Sequence, residues 1–361
     1  MPFNSFLGNS EAVAILRGLI TSGRVPGAMV FAGPDGVGKR TLAEMMAKAL
    51  NCERLKGDFC GECSRCLKCE QMLATCREEV ERRRGIKDAS RRSEGLIYFD
   101  LQLIAPLTRY ILTEQVRQMR QTAYTRPFEL PRRIFIIDQA QALHWQAVDL
   151  LLKVLEEPPD STLFILICPN LHELRSTIRS RCFKVTFKPV EQDVIRSVLG
   201  KERGFTKADL ELAVRIAAGS VAQAKNLDLA AYRQLREPWV NLMGTLARKE
   251  LDSLAPQDWK RLFDSARALA ESRDQFEEVL GIGYGLLHDL LELAESDSTD
   301  RLVNLDLLPQ LRPWSSDVGL PGLRLLKDGL DEAFKLQVRN VNQQLGFEAM
   351  AVGMMEGRTG R

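Results

Sequence analysis

Three groups of residues in this sequence have types and spacings that could do chemistry. The first is Gly33-Pro34-Asp35-Gly36-Val37-Gly38-Lys39, which follows an apolar run and opens a helical pattern. In such a loop the glycines (Gly33, Gly36 and Gly38) let backbone N–H groups turn inward on an anion. The helix start adds partial positive charge, and Lys39 can reach the β- and γ-phosphates of a nucleotide. The next residue should be Ser or Thr, to ligate Mg2+, but it is Arg40. Thr41 does not substitute easily, because one step along a helix turns a side chain by about 100°. A guanidinium here also puts a cation where the metal should sit.

The second group is Asp138-Gln139, at the end of the apolar run Ile134–Ile137. Asp138 is placed to present a carboxylate to the metal, and Gln139 stands where a carboxylate would polarise the attacking water. An amide can hold a water but cannot take its proton, and losing a general base typically costs about 10²–10⁴ in rate. The site therefore reads as degenerate: weak ATP and Mg2+ binding or none, and no turnover.

The third group is Cys52, Cys60, Cys63 and Cys66, spaced C-x₇-C-x₂-C-x₂-C. Two-residue gaps let neighbouring thiolates curl onto one ion, and four thiolates satisfy tetrahedral Zn2+ with no open position, so the metal would be structural. Such an ion would replace the core that so short an insert cannot build. Cys69 continues the spacing and could compete with Cys66 or Cys52. Cys76 reads as free and Cys168 as a core residue. The histidines, His144, His172 and His288, lack the partner spacing for a metal or a nucleophile. His144, at a helix start, reads as packing or capping.

The elements that must position these groups follow from apolar periodicity. Ala28–Ala32, Ile134–Ile137 and Leu163–Ile167 read as buried strands, and Val185–Phe187 as a possible closing strand. Lys39–Leu50 and Ala142–Leu155 read as helices, the latter stopped by Pro158-Pro159. Strands alternating with helices predict a parallel sheet covered on both faces. The charge run 77–94 reads as a solvated helix or loop. Beyond Pro189 the pattern is helical. The predicted domains are an α/β domain over 1–188, with inserts at about 52–69 and 77–94, a small helical lid over 189–228 and an all-α domain over 229–361.

Composition bounds the rest. The chain has 361 residues, 45% hydrophobic and 27% charged, with a net charge of +2. That excludes a disordered chain and gives no global demand for nucleic acid. No stretch approaches the roughly 20 apolar residues of a membrane span, and the start lacks a signal-like basic segment. A cytoplasmic protein is expected, and in a reducing compartment clustered cysteines point to metal rather than disulfides.

In order and spacing, FLGNSEAV, GRVPGAMVFAGPDGVGK, the cysteine insert, RRIFIIDQAQAL, LLLKVLEEPP, LFILICPN and TIRSRC resemble the AAA+ clamp-loader subunits of bacterial DNA polymerase III, above all the delta-prime type. The resemblance covers about residues 3–225. It implies an AAA+ P-loop domain, a lid and a helical collar, and the same four zinc ligands. Two further departures from active members then stand out: Cys168-Pro169-Asn170 in the sensor neighbourhood after LFILI, and Ala222 in Gly219-Ser220-Val221-Ala222, where a G-S-x-R arginine belongs. The resemblance implies a stator without ATPase activity of its own. Its Arg181, 43 residues beyond Asp138, would act in trans on a neighbouring gamma/tau subunit's ATP. Implied partners are gamma/tau and delta, and, through the assembly, the sliding clamp (beta) and primer-template DNA. The alternatives are a gamma/tau-type ATPase with an altered loop, or a zinc-dependent DNA-binding protein on the same scaffold.

Overall fold

The computed structural model describes residues 2–96, 98–202, 204–247, 255–271, 275–296, 298–338 and 343–359. They form two compact units: Met1–Ile195 with Gly219–Gln223, and Arg196–Ala218 with Ala224–Arg361.

In the first unit the elements run α1 (Ser10–Ser22), β1 (Ala28–Ala32), α2 (Lys39–Asn51), α3 (Ser64–Arg84), β2 (Leu101–Ile104), α4 (Thr113–Ala123) and β3 (Arg133–Ile137). They continue as α5 (Trp145–Glu156), β4 (Thr162–Cys168), α6 (Ser176–Arg179) and β5 (Phe183–Thr186). The five strands pair in the order β2-β3-β4-β1-β5, and every pairing is parallel. A parallel strand buried on both faces should be apolar throughout, and β1, β3 and β4 are fully buried along their length. Alternation then divides the side chains. Met29, Phe31, Ile134, Ile136, Leu163 and Ile165 face one core with α1, α2 and α3. Val30, Phe135, Ile137, Phe164 and Leu166 face the other with α4 and α5. There Phe135 and Phe164 stack at 5.4 Å. Edge strand β5 buries only Val185 and exposes Lys184, which discourages further strand pairing.

The apolar runs thus mark β1, β3 and β4 to within a residue at each end, whereas β2 has no counterpart in the sequence reading. It is four residues long and carries a polar Gln102, buried because its amide bonds Leu103 C=O and Phe99 N–H. The charge run forms a largely exposed helix as expected up to Arg84, and departs from expectation at Arg83. Residues up to Arg84 continue α3, and Arg83 is buried, donating to the carbonyls of Arg92, Glu94 and Gly95 and to Glu79. A guanidinium with five donors can serve as an internal staple for a loop, which composition does not reveal.

The second unit is helical: α7 (Gln192–Glu202) enters it, followed by α8 (Lys207–Ile216), with α9 (Val221–Asn226) at its edge. Next come α10 (Leu229–Leu246), α11 (Pro256–Leu269), α12 (Phe276–Glu295), α13 (Leu308–Val338, broken at Gly319) and α14 (Gln343–Thr359). On α12, Leu286, Leu287, Leu290 and Leu293 form a buried stripe, with Leu291 half-buried. Asp289 on that helix is fully buried and accepts from the backbone of Val303 and Asn304. Asn304 in turn accepts from Tyr232 and Arg236.

One buried ion pair holds the base of β2 and β3. Asp100 accepts from the N–H groups of Phe128, Glu129 and Leu130 and pairs with Arg133 at 2.8 Å. Arg133 also donates to the carbonyls of Thr122, Thr125 and Arg126. Burial opposes the Asp100 charge, but these N–H groups and the guanidinium outweigh it and hold the carboxyl below its ordinary range. A depressed folded-state pKa adds stability above the unfolded value of about 3.9, and that stability is lost as pH falls through the folded value. Asp100→Asn leaves Arg133 buried without its counter-charge, so unfolding in urea at neutral pH should show a loss of about 3–5 kcal/mol. The variant should also lose less stability than the wild type on acidification below about pH 4.

Candidate functional site

β1 ends at Ala32 and α2 begins at Lys39, so the glycine-rich loop spans the carboxyl edge of a central strand. Lys39 is buried. Its ammonium donates to the carbonyls of Gly33 and Pro34 (2.8 Å for the latter) and to Asp35 Oδ1 at 3.1 Å. An ammonium has three donors, and all three are used inside the loop. The sequence directs this side chain toward phosphates; in the structure it closes back on its own loop.

The segment Gly219-Ser220-Val221-Ala222 packs onto the same loop. Ala222 N–H donates to Gly36 C=O at 3.2 Å, and the buried Ser220 hydroxyl accepts from Gln223 N–H. Gly36 has φ +76°, and a Cβ there would lie 1.9 Å from Ser220 Oγ. Phe6 covers Gly38 in the same way, its ring 2.8 Å from where a Cβ would be. In the sequence Ser220 marks only the place of the missing arginine; its seat against Gly36 follows from tertiary packing.

Arg40 and Asp138, 98 positions apart, meet. Arg40 Nη1 lies 3.4 Å from Asp138 Oδ2, and Arg40 Nε lies 3.8 Å from Glu44. The guanidinium thus stands at the carboxylate that the sequence pattern assigns to a divalent cation. Asp138 also accepts from the N–H of Gln139, an exposed residue in the left-handed region at φ 54°. Thr41 is exposed. Asn170 caps the turn that follows β4 by accepting from His172 N–H.

Arg181 lies on the surface just before β5. It pairs with Glu156 Oε1 at 2.6 Å and donates to Thr177 C=O at 2.9 Å. Exposed pairs of this kind are worth about 0–1 kcal/mol, so the guanidinium is lightly held. Its neighbour Cys182 is buried, and burial pushes that thiol up to about 12. Burial likewise pushes Cys168, at the end of β4, up to about 11.

The four predicted cysteines converge. The sulfurs of Cys52, Cys60, Cys63 and Cys66 all lie within 4.8 Å of one another, with Cys52–Cys60 at 3.8 Å and Cys60–Cys66 at 4.0 Å. Ligands 2.3 Å from a tetrahedral ion stand about 3.8 Å apart, so the set fits a metal. Cys63 N–H donates to Cys60 Sγ at 3.3 Å, a contact suited to a thiolate. Burial pushes the Cys63 thiol up, but the backbone of Glu53 and Cys66 and the adjacent thiols outweigh it and bring it down to about 6. Burial and the neighbouring sulfurs raise Cys66. Cys63 caps α3 and Cys66 lies in its first turn, while Cys69 and Cys76, further along, are buried in the core outside the cluster.

Two features had no sequence signal. Tyr110, His144 and Trp145 form a row of aromatic rings, described below. In the helical unit a groove of about 1100 Å³ is lined by Pro238, Gly244, Arg261, Asp264 and Trp314 among others.

Residues 8–191, just over half of the chain, match the protein family described as DNA polymerase III, delta subunit. The chain is 29% identical over 201 residues to the DNA polymerase III subunit gamma/tau of Mycoplasma pneumoniae, covering 55% of this chain and 26% of that protein. It is 26% identical over 306 residues to the subunit gamma of Buchnera aphidicola subsp. Baizongia pistaciae, covering 80% and 75%. The chain thus spans about a quarter of the Mycoplasma relative's length. A gamma subunit-related protein of Thermotoga maritima, known from its crystal structure, aligns over 96% of this chain and 99% of its own, with 17% identity and a TM-score of 0.47.

The seat of Ser220 against Gly36 is directly testable. Gly36→Ala should destabilise the chain by about 1–3 kcal/mol, combining the clash with the left-handed backbone. Adding Ser220→Ala should return part of that loss in a double-mutant cycle followed by thermal unfolding, leaving about 1–2 kcal/mol of backbone strain.

Proposed function

The chain belongs to the DNA polymerase III delta-subunit family, and on that premise we propose that it is a delta-prime-like stator of the clamp loader. In this reading it lacks hydrolysis of its own and completes a neighbouring gamma/tau subunit's ATP site with Arg181. The observation that carries the reading is the contact between Arg40 and Asp138. Hydrolysis in a P-loop protein requires Mg2+ between a hydroxyl after the loop lysine and a carboxylate at the end of another strand of the sheet. Here the hydroxyl is replaced by a guanidinium that neutralises the carboxylate directly. Gln139 in place of a general base and Ala222 in place of an arginine act in the same direction.

Arg181 is the cation left for export. Delivered to a γ-phosphate in trans, it would neutralise the charge that develops on the transferring group, and such fingers are worth about 10³–10⁵ in rate. Leaving Glu156 costs about 1 kcal/mol at most, small beside that gain. The lid over 189–228 and the collar over 229–361 would then set the position of this module in a ring with gamma/tau and delta. Through that ring it would take part in loading the sliding clamp onto primer-template DNA. Cys52, Cys60, Cys63 and Cys66 would hold a structural Zn2+, which when bound would brace the segment ahead of α3 against the head of that helix.

A gamma/tau-type ATPase is the second reading, favoured by the names of the relatives above. One experiment separates the two. In an assembly of this chain with gamma/tau and delta, Arg181→Ala should leave the ring intact and lower clamp-stimulated ATP turnover at least tenfold, a modest share of the full finger effect. An unchanged rate removes Arg181 from the mechanism. ATP hydrolysis by the chain alone, abolished by Lys39→Ala, establishes the second reading instead.

The metal has its own test. Elemental analysis of the purified chain should find close to one zinc, and Cys63→Ser should hold less than half as much and unfold at a lower temperature.

A further inference from the structure

At the carboxyl edge of the sheet, the loops after β2 and β3 are tied together by backbone. Ile111 N–H donates to Ala142 C=O at 2.8 Å, and His144 N–H donates to Ile111 C=O at 3.2 Å. This tie sets four side chains in a row. The Arg109 guanidinium lies over the Tyr110 ring at 5.9 Å, Tyr110 meets His144 edge-on at 5.9 Å, and His144 leans on Trp145 at 5.7 Å. The Tyr110 backbone is held in turn by the Thr108 hydroxyl.

The two larger rings of the row are open. Trp145 is 58% exposed and Tyr110 is 43% exposed. Trp145 stands outside the apolar stripe of its own helix, which is Ala147, Val148, Leu151, Val154 and Leu155, so its ring is not packing α5 to the core. His144 Nδ1 is sealed off without a hydrogen-bond partner, which leaves the imidazole as a spacer between two larger rings. Among the described residues Arg109 has no carboxylate partner, and the first turn of α5 carries no acidic residue.

We propose that Arg109, Tyr110, His144 and Trp145 form a stacking site for unpaired bases of single-stranded DNA. An open aromatic face takes any base whose own face is free, while an adjacent arginine backs the ring and meets the phosphate. Pre-set rings lose little freedom when a base arrives. A duplex offers such faces only at its ends, so single strands should be preferred. The inference deepens the function proposed above and rests on it only for the choice of DNA over RNA.

The test uses the full chain without partners and a fluorescein-labelled oligodeoxythymidylate of about 20 nucleotides, followed by anisotropy at rising salt. The wild type should bind at low salt, more tightly than it binds a blunt duplex of equal length. Trp145→Leu, which keeps apolar bulk, and Tyr110→Ala should each weaken binding at least fivefold, with Trp145→Phe within twofold of wild type and circular dichroism unchanged throughout. No binding by the wild type, or equal affinity in Trp145→Leu, overturns the proposal. So does a Trp145→Leu variant that binds DNA normally but assembles poorly with gamma/tau, since the row is then a protein interface. Because no turnover is read, this result stands apart from the outcome for Arg181.

Discussion

All five strands of the first unit run in one direction, and that constraint organises the chemistry. Parallel strands need crossovers, so every carboxyl end lies on one edge and every following loop gathers there. The Gly33–Lys39 loop after β1, Asp138 after β3, the tied loops carrying Tyr110 and His144, and Asn170 after β4 all owe their proximity to this arrangement. The core faces on either side are nearly seamless, so the edge itself is rigidly set and small changes of residue type there have large chemical effects.

The most telling such change is a matter of where positive charge goes. A working P-loop keeps a lysine for phosphate and a metal for the carboxylate. Here Lys39 is spent on its own carbonyls and on Asp35, and Arg40 is spent on Asp138. In the proposed reading, charges that a working P-loop would turn on a nucleotide are held by the protein's own acceptors. Arg181 is tied to an exposed glutamate, to the Thr177 carbonyl and to the Ser180 hydroxyl. In the proposed division of labour, Arg40 serves the chain's own Asp138 and Arg181 serves a neighbour.

Much of this was legible in sequence because it depends on local pattern. Apolar runs marked β1, β3 and β4, and the spacing of Cys52, Cys60, Cys63 and Cys66 selected the four sulfurs that converge. The position of Arg40 directly after Lys39 announced the conflict at Asp138. What escaped depends on partners distant in the chain. β2 is short and includes a glutamine, so only pairing with β3 makes it a strand. Arg83 lies in a charge run that reads as solvated, yet three carbonyls from residues 92–95 bury it. Ser220 meets Gly36 and Tyr110 meets His144 through tertiary contact, for which neither periodicity nor motif spacing leaves a trace.

The cysteine cluster also carries a liability separate from its role in folding. Sulfurs brought within 4.8 Å of each other are already near cross-linking range. A chain that folded in air with no ion to occupy its thiolates would be open to two-electron oxidation, pairing sulfurs that a tetrahedral ion keeps apart. Such a bond would draw Cys52, which follows α2, and Cys60, which precedes α3, together and disturb the segment between the two helices. Metal supply and reductant therefore act on the same few atoms, and shelf life in the purified state hinges on both.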